Sequence, residues 1–298
     1  MPEPRPTTLI ESPRLSRHVG AELLLASETF QYTGSFKFRA AWRVASTVPH
    51  PRVLTASSGN FGQALAYACA LAGKGCTVVM PSTSAQVKVD AVRAFGGTVE
   101  LIDTAQLSRA QRVRELAAGD PEAYVASAYD DALVIEGNSS LGAELAGLGL
   151  TDVIAPVGGG GLTAGLVTGL CRAGSRAAVT GAEPLLANDA ARSLREGRVV
   201  VNEREPQTLA DGARTVSLGA RNWAVLQGGL AGIIEVPEEA IRDAVRLLFD
   251  LANLKAEPTG ALGLAALLCE PSRFRGRRVC CVVSGGNVDP ALYRALIS

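Results

Sequence analysis

Lys37 stands between two aromatic residues in the stretch Gly34-Ser35-Phe36-Lys37-Phe38-Arg39. A lysine held against aromatic walls loses part of its hydration, which disfavours the ammonium, lowers the pKa and frees an amine able to attack a carbonyl. That is Schiff-base chemistry if the site is buried. By itself the hexapeptide reads more simply, as a solvated lysine at a helix start whose phenylalanines face the core. A second stretch with chemical content is Val153-Ile154-Ala155-Pro156-Val157, which runs straight into Gly158-Gly159-Gly160-Gly161 and a helix starting near Leu162. Four glycines at a strand's end let the backbone wrap an anion, with amides and the helix N-terminus supplying donors and positive potential. A mere turn would not need the backbone entropy that four glycines lose, so the stretch reads as a phosphate cradle. A dinucleotide site is the rival, although the spacing is not G-x-G-x-x-G and the only candidate ribose acid lies near residue 183.

The elements that must position these residues alternate apolar β-type runs with alanine-rich helical stretches, the pattern of parallel sheets covered by helices. Val53-Leu54-Thr55-Ala56 reads as a strand, Ser57-Ser58-Gly59-Asn60-Phe61-Gly62 as a turn and 63–72 as a helix. Strand-type runs follow at 77–80 and 98–102, with helices over 86–95 and 108–118. These units predict a small domain, 53–130, inserted in a large one made of 1–52 and 131–298. Later, 178–183, 233–236 and 279–284 read as strands, 238–254 as a long amphipathic helix and 260–268 as an alanine/leucine helix. The last strand ends in Ser284-Gly285-Gly286-Asn287, and ligands of open α/β sheets collect at the carboxyl ends of strands.

Composition narrows the function classes. With 298 residues and 47% hydrophobic content the chain can build a large core. Lys+Arg 29 balances Asp+Glu 29 without a basic run, so nothing draws the protein to nucleic acid or an anionic membrane; a small neutral or zwitterionic ligand fits better. The six cysteines, Cys69, Cys76, Cys171, Cys269, Cys280 and Cys281, include no C-x-x-C and read as reduced core residues. The N-terminal segment lacks the apolar stretch of a signal peptide, and no apolar run approaches membrane-spanning length. A cytoplasmic location is expected.

Ser-Phe-Lys near the N-terminus, Ser-Ser-Gly-Asn at a strand–helix turn, the tetraglycine after a central strand, Glu257-Pro258-Thr259-Gly260 and Ser284-Gly285-Gly286-Asn287 occur in this order. Together they resemble the pyridoxal-phosphate enzymes of the tryptophan-synthase-β fold (fold type II), and within it the serine/threonine dehydratase and serine racemase family, over nearly the whole chain. The resemblance implies two lobes, each an open, mostly parallel sheet flanked by helices, with the cofactor in the cleft between them. Lys37 would hold pyridoxal phosphate as a Schiff base and act as the base on Cα, with Phe36 packed beside the cofactor. Gly158, Gly159, Gly160, Gly161 and Leu162 would bind its phosphate, Asn60 its ring hydroxyl and Ser284 its pyridine nitrogen. Ser57, Ser58, Gly59 and Asn60 would receive the substrate carboxylate.

A serine hydroxyl cannot stabilise a pyridinium as a carboxylate would, so the ring is the weaker electron sink and expulsion of a β-hydroxyl is favoured. The reaction implied is α,β-elimination from L-serine, L-threonine or a related β-hydroxy amino acid, giving a 2-oxo acid and ammonia. Ser58 stands where the racemases of this family carry a serine opposite the lysine, so racemisation, or a β-replacement, is the alternative; a nicotinamide-binding α/β protein is a remote one. Glu183, the Ala187 carbonyl and Asp189 resemble that family's divalent-cation site, and their oxygens suit Mg²⁺ or Ca²⁺; two surface carboxylates near a helix start are the other reading. The family also suggests a homodimer. Departures from its pattern are Phe61 where histidine is common, Gly137-Asn138-Ser139-Ser140, and Ser127-Ala128-Tyr129-Asp130, whose Tyr129 lines the pocket or fills the lobe interface.

Overall fold

The structure, a computed structural model, describes residues 2–57, 59–84 and 86–298. In chain order the strands are β1 (Thr8–Glu11), β2 (Glu22–Ser27), β3 (Arg52–Ala56), β4 (Gly75–Pro81), β5 (Thr98–Ile102), β6 (Ala123–Val125), β7 (Asp152–Pro156), β8 (Ala178–Pro184), β9 (Gly232–Val236) and β10 (Arg278–Val283). The helices are α1 (Pro13–Val19), α2 (Lys37–Thr47), α3 (Asn60–Leu71), α4 (Gln86–Ala94), α5 (Arg109–Gly119), α6 (Ala132–Ala146), α7 (Gly161–Arg172), α8 (Asp189–Glu196), α9 (Ala220–Gly229), α10 (Glu238–Ala252), α11 (Pro258–Cys269), α12 (Pro271–Phe274) and α13 (Pro290–Ile297).

Two open sheets result. The larger runs β1-β2-β10-β7-β8-β9 and the smaller β5-β4-β3-β6; every pairing is parallel except β1 with β2. This is the α/β architecture expected from the alternating pattern. Parallel strands release their following loops at one edge of the sheet, so the segments after β2, β10, β7 and β8, neighbours in the larger sheet, emerge side by side. The segments after β3 and β6 do the same in the smaller one. The stretches around Lys37, Asn60, the four glycines and Ser284 lie in these loops or at the helix starts that follow them, whereas Glu257 to Gly260 come from the junction of α10 and α11.

Strands β1, β2 and β6 carry little local signal. Leu23-Leu24-Leu25-Ala26 is made of good helix formers with no β-branched residue. It is extended because β10 pairs with it from Arg278↔Glu22 to Val283↔Ser27, while β1 covers its other side. The Gly137-Asn138-Ser139-Ser140 stretch lies inside α6, where small side chains let helices close up. A Cβ on Gly169 of α7 would lie 2.1 Å from the Ser139 carbonyl, and one on Gly137 would lie 2.6 Å from the Arg39 carbonyl in α2. Of the cysteines, Cys69, Cys76, Cys280 and Cys281 are buried, whereas Cys171 and Cys269 lie at the surface. Among the described residues no helix is long and apolar enough to cross a membrane.

Helix α2 buries Phe38, Ala41 and Val44 in the same cluster as Phe61 and Leu65 of α3 and Val53 of β3. Its buried Arg39 makes a two-pronged pair with Glu28, Nε to Oε2 at 2.7 Å and Nη2 to Oε1 at 2.9 Å, and its Nη1 reaches Glu144 of α6 at 2.6 Å. Glu28 follows β2, so the ion triad ties the start of α2 to the larger sheet and to α6. Removing Arg39 leaves the buried Glu28 desolvated and uncompensated, at about 3–5 kcal/mol. Arg39→Ala is therefore expected to lower the midpoint of thermal unfolding by on the order of 10 °C, read by calorimetry; a shift within error would show that the triad is not held in the folded protein.

Candidate active site

The segment from Glu28 to Phe36 is fastened to the end of β10. The Glu28 amide donates to the Val283 carbonyl at 2.9 Å, the Phe36 amide to the Ser284 carbonyl at 2.9 Å, and Gly286 to Gly34 at 3.0 Å; Ser35 and Gly285 form an isolated bridge. Gly34 turns at φ +72°, and a Cβ there would meet the Asn287 side chain at 2.4 Å. These contacts deliver Lys37 as the first residue of α2, with Ser284, itself buried, beside the turn that carries it.

Only one of the two walls expected for Lys37 is supplied by its sequence neighbours. Phe36 stands 5.0 Å from Nζ, but the second ring is Phe61, at 5.6 Å. Phe38 points away into the core, where it packs against Tyr32 and Tyr67, because successive helix residues diverge by about 100°. Nζ donates to the Ala128 carbonyl at 2.7 Å. The residue as a whole keeps some solvent contact, while protein atoms surround the amine itself and govern its ionisation. Burial lowers its pKa to about 8 against the raising charge of Glu257. The positive end of α2 acts in the same direction as burial.

Glu257 is the neighbour that the sequence showed only as part of a motif. Buried at the start of α11, it has its pKa raised to about 8, first by burial and then by Asp211, against opposing contributions from Asn60, Lys88 and Lys37. Its Oε1 accepts from Asn60 Nδ2 at 2.8 Å, and Asn60 Oδ1 accepts from Gln63 at 3.1 Å and Asn287 at 2.8 Å. Both ends of the Asn60 amide are thus occupied by neighbours, leaving one N–H of Nδ2 for another acceptor. Ser57 Oγ accepts from the amides of Gly59 and Gly62 at 3.4 and 3.1 Å, which shapes the turn at the start of α3 and keeps the hydroxyl proton available. Ser58 lies outside the described residues.

Gly158 to Leu162 carry β7 into α7. Among the described residues none of these five amides donates a hydrogen bond, a donor set that suits a phosphate. The four glycines are required by packing as well. A Cβ on Gly159 would enter the Tyr129 ring at 2.2 Å, and Gly160 turns at φ +91° against Leu226, Asn222 and Leu218. Tyr129 thus packs against the loop. Asn222, for which the sequence offered no signal, donates from Nδ2 to the carbonyls of Gly159 and Tyr129.

Glu183 and Asp189 are both buried. The Glu183 carboxylate accepts from the amides of Ala190 and Ala191 at 2.9 and 2.8 Å, and burial with the charge of Asp189 raises its pKa well above the usual carboxylate range. Asp189 Oδ1 accepts from Asn202 at 3.0 Å, its Oδ2 has no partner, and burial raises its pKa to about 7. Among the described residues no group of three or more His, Cys, Asp or Glu side chains is placed to hold a metal. A cation here would draw on the orphaned Oδ2, Glu183 and the buried Ala187 carbonyl, with water completing its shell.

Known proteins resemble the chain in sequence and fold. The chain is 35% identical over 294 residues to the β-hydroxyaspartate dehydratase of Paracoccus denitrificans (strain Pd 1222), covering 97% of this chain and 92% of that one. It is 34% identical over 298 residues to the serine racemase of Homo sapiens, covering 95% and 86%. The crystal structure of a threonine deaminase from T.th. superposes with a TM-score of 0.89 at 41% identity, covering 96% and 94%. Residues 1–285 match the family model described as pyridoxal-phosphate dependent enzyme. An amine drawn out of water, a turn of unpaired amides and this likeness in sequence and fold agree: the chain belongs to the pyridoxal-phosphate dependent enzyme family.

Proposed function

We propose that the protein eliminates water from a β-hydroxy amino acid, and that the enamine released tautomerises to an imine whose hydrolysis takes up one water and gives a 2-oxo acid and ammonia. The observation that carries this reading is the Lys37 amine, held near Phe36 and Phe61 with its pKa lowered to about 8. Bound pyridoxal phosphate supplies an aldehyde for that amine and a ring that draws electrons from Cα. Lys37 anchors the cofactor and takes the proton from Cα. The amides of Gly158 to Leu162 hold the phosphate, Asn60 gives its remaining Nδ2 proton to the ring hydroxyl, and the Ser284 hydroxyl meets the ring nitrogen. Ser57, Gly59 and Asn60, together with Ser58, receive the substrate carboxylate at the start of α3. With a neutral hydroxyl at the ring nitrogen, departure of the β-hydroxyl competes well with reprotonation.

The substrate class comprises serine, threonine and β-hydroxyaspartate; the last enters because relatives at 35% and 33% identity are named as hydroxyaspartate enzymes. Racemisation is the second reading, supported by 34% identity to a serine racemase, with Ser58 as the base opposite Lys37. A screen of these three amino acids that scores oxo acid, ammonia and product chirality together separates the two. Lys37→Ala is expected to abolish both borohydride-trapped cofactor and oxo-acid release; full turnover in that variant would overturn the assignment.

The lowered pKa has a sign that can be read directly. In cofactor-free protein the rate at which Lys37 captures pyridoxal phosphate should rise with pH, reach half its maximum near about 8 and level off above that, with a midpoint well below that of an ordinary lysine. Glu257→Gln removes the raising charge, so the midpoint should move down. A midpoint above pH 10, or an upward shift in the variant, would contradict the origin given for it.

We further propose that Glu183, Ala187 and Asp189 hold Mg²⁺ or Ca²⁺. Because the folded pKa of Asp189, about 7, exceeds its unfolded value, its protonated form stabilises the fold at low pH and that contribution is lost as pH rises through about 7. At pH 8 Asp189→Asn should therefore raise the unfolding midpoint of the metal-free protein. Mg²⁺ or Ca²⁺ should stabilise the wild type, by about 2.7 kcal/mol at a hundredfold excess over Kd, and leave the variant unmoved. Equal cation effects on both proteins would remove the site.

A further inference from the structure

The glycine loop is held from outside by a residue that no motif marks. Asn222, fully buried on α9, donates from Nδ2 to the Gly159 carbonyl at 2.6 Å and to the Tyr129 carbonyl at 3.0 Å. The Gly219 amide adds a third bond, to Gly159 at 3.1 Å. Asp130 holds the start of α9 in place, accepting from the amides of Ala220 and Arg221 at 3.2 and 2.9 Å. Asn222 Oδ1 has no partner, and a buried orphan acceptor costs stability. Turning the amide over would be worse, since its oxygen would then face two carbonyl oxygens. The donor is what this position uses.

The peptide between Gly159 and Gly160 is trans, so its N–H points opposite to its C=O. With the carbonyl bound toward α9, the Gly160 amide is directed away from α9. The Tyr129 ring packs against Gly159, in the space a Cβ would take. We propose that Asn222 is a positioning residue for the phosphate cradle: by gathering the Gly159 and Tyr129 carbonyls on one amide nitrogen it aims the Gly160 N–H at a phosphate. This rests on the proposed use of the loop as that cradle.

Its test is the titration of pyridoxal phosphate and of pyridoxal, which lacks the phosphate, into the full chain freed of cofactor. Asn222→Ala should weaken pyridoxal phosphate about tenfold and pyridoxal less than about twofold. Asn222→Asp keeps the shape but sets a carboxylate oxygen against two carbonyls, so it should bind pyridoxal phosphate no better than the alanine variant. A space-filling role predicts the reverse order, and weakening of both ligands alike would mean general loosening; either result overturns the proposal. Thermal unfolding of each cofactor-free variant shows that it folds. Asn222→Ser, which keeps a short donor, takes their place if neither does, and should weaken only the phosphate ligand. A wild type that binds no pyridoxal phosphate would count against the proposed function; wild-type binding with unaffected variants would sink the role of Asn222 alone.

Discussion

The constraint on which the rest depends is the fastening of the 28–36 segment to the end of β10. Two antiparallel-style contacts, Phe36 to Ser284 and Gly286 to Gly34, and the bridge between Ser35 and Gly285 decide where α2 begins. Lys37 is its first residue, so backbone bonds place its Cα, and the bond from Nζ to the Ala128 carbonyl holds the far end of the stem. A lysine carries about 2 kcal/mol of rotamer entropy, and part of the ordering is already done before any ligand arrives.

Around that amine the protein assembles groups that disfavour charge. Phe36 and Phe61 offer faces, the Ala128 carbonyl accepts one hydrogen bond, and Glu257 is itself pushed toward its neutral form. Glu257 and Lys37 titrate in the same range and oppose each other's shifts, so protons leave the pair as a coupled unit. The same buried carboxyl anchors Asn60, which Gln63 and Asn287 hold from the other end. Ionisation of the amine and orientation of the amide are therefore linked through one side chain.

The two lobes also meet through charge at their surfaces. Lys88 of α4 reaches Asp211 at 2.9 Å and Arg109 of α5 approaches Glu205 at 3.7 Å. Both pairs are partly exposed, and such pairs are weak individually. They add little to how the sheets are held, whereas the buried pair of Arg39 and Glu28, with Glu144 at its rim, fastens the start of α2.

By itself the sequence determined the parallel α/β architecture, through apolar periodicity, and marked the glycine turn through four residues without Cβ; Lys37 stood out only in company with the other motifs, since its own hexapeptide reads as a solvated lysine. It did not identify β2, a leucine run whose extended form comes from β10, or β6, too short at three residues to show a period. It placed the second aromatic wall of Lys37 on Phe38, where the structure supplies Phe61. It passed over Asn222, and took Glu257 only as a letter in a motif. Those side chains approach from helices far away in the chain, Asn60 meeting Glu257 across 197 positions and Asn222 meeting Gly159 across 63. No local pattern encodes a partner of that kind, since the side chain is chosen by the space and the polar groups that packing brings to it. What tertiary structure decided is which groups surround the amine and the loop, and with them the charge of one and the aim of the other.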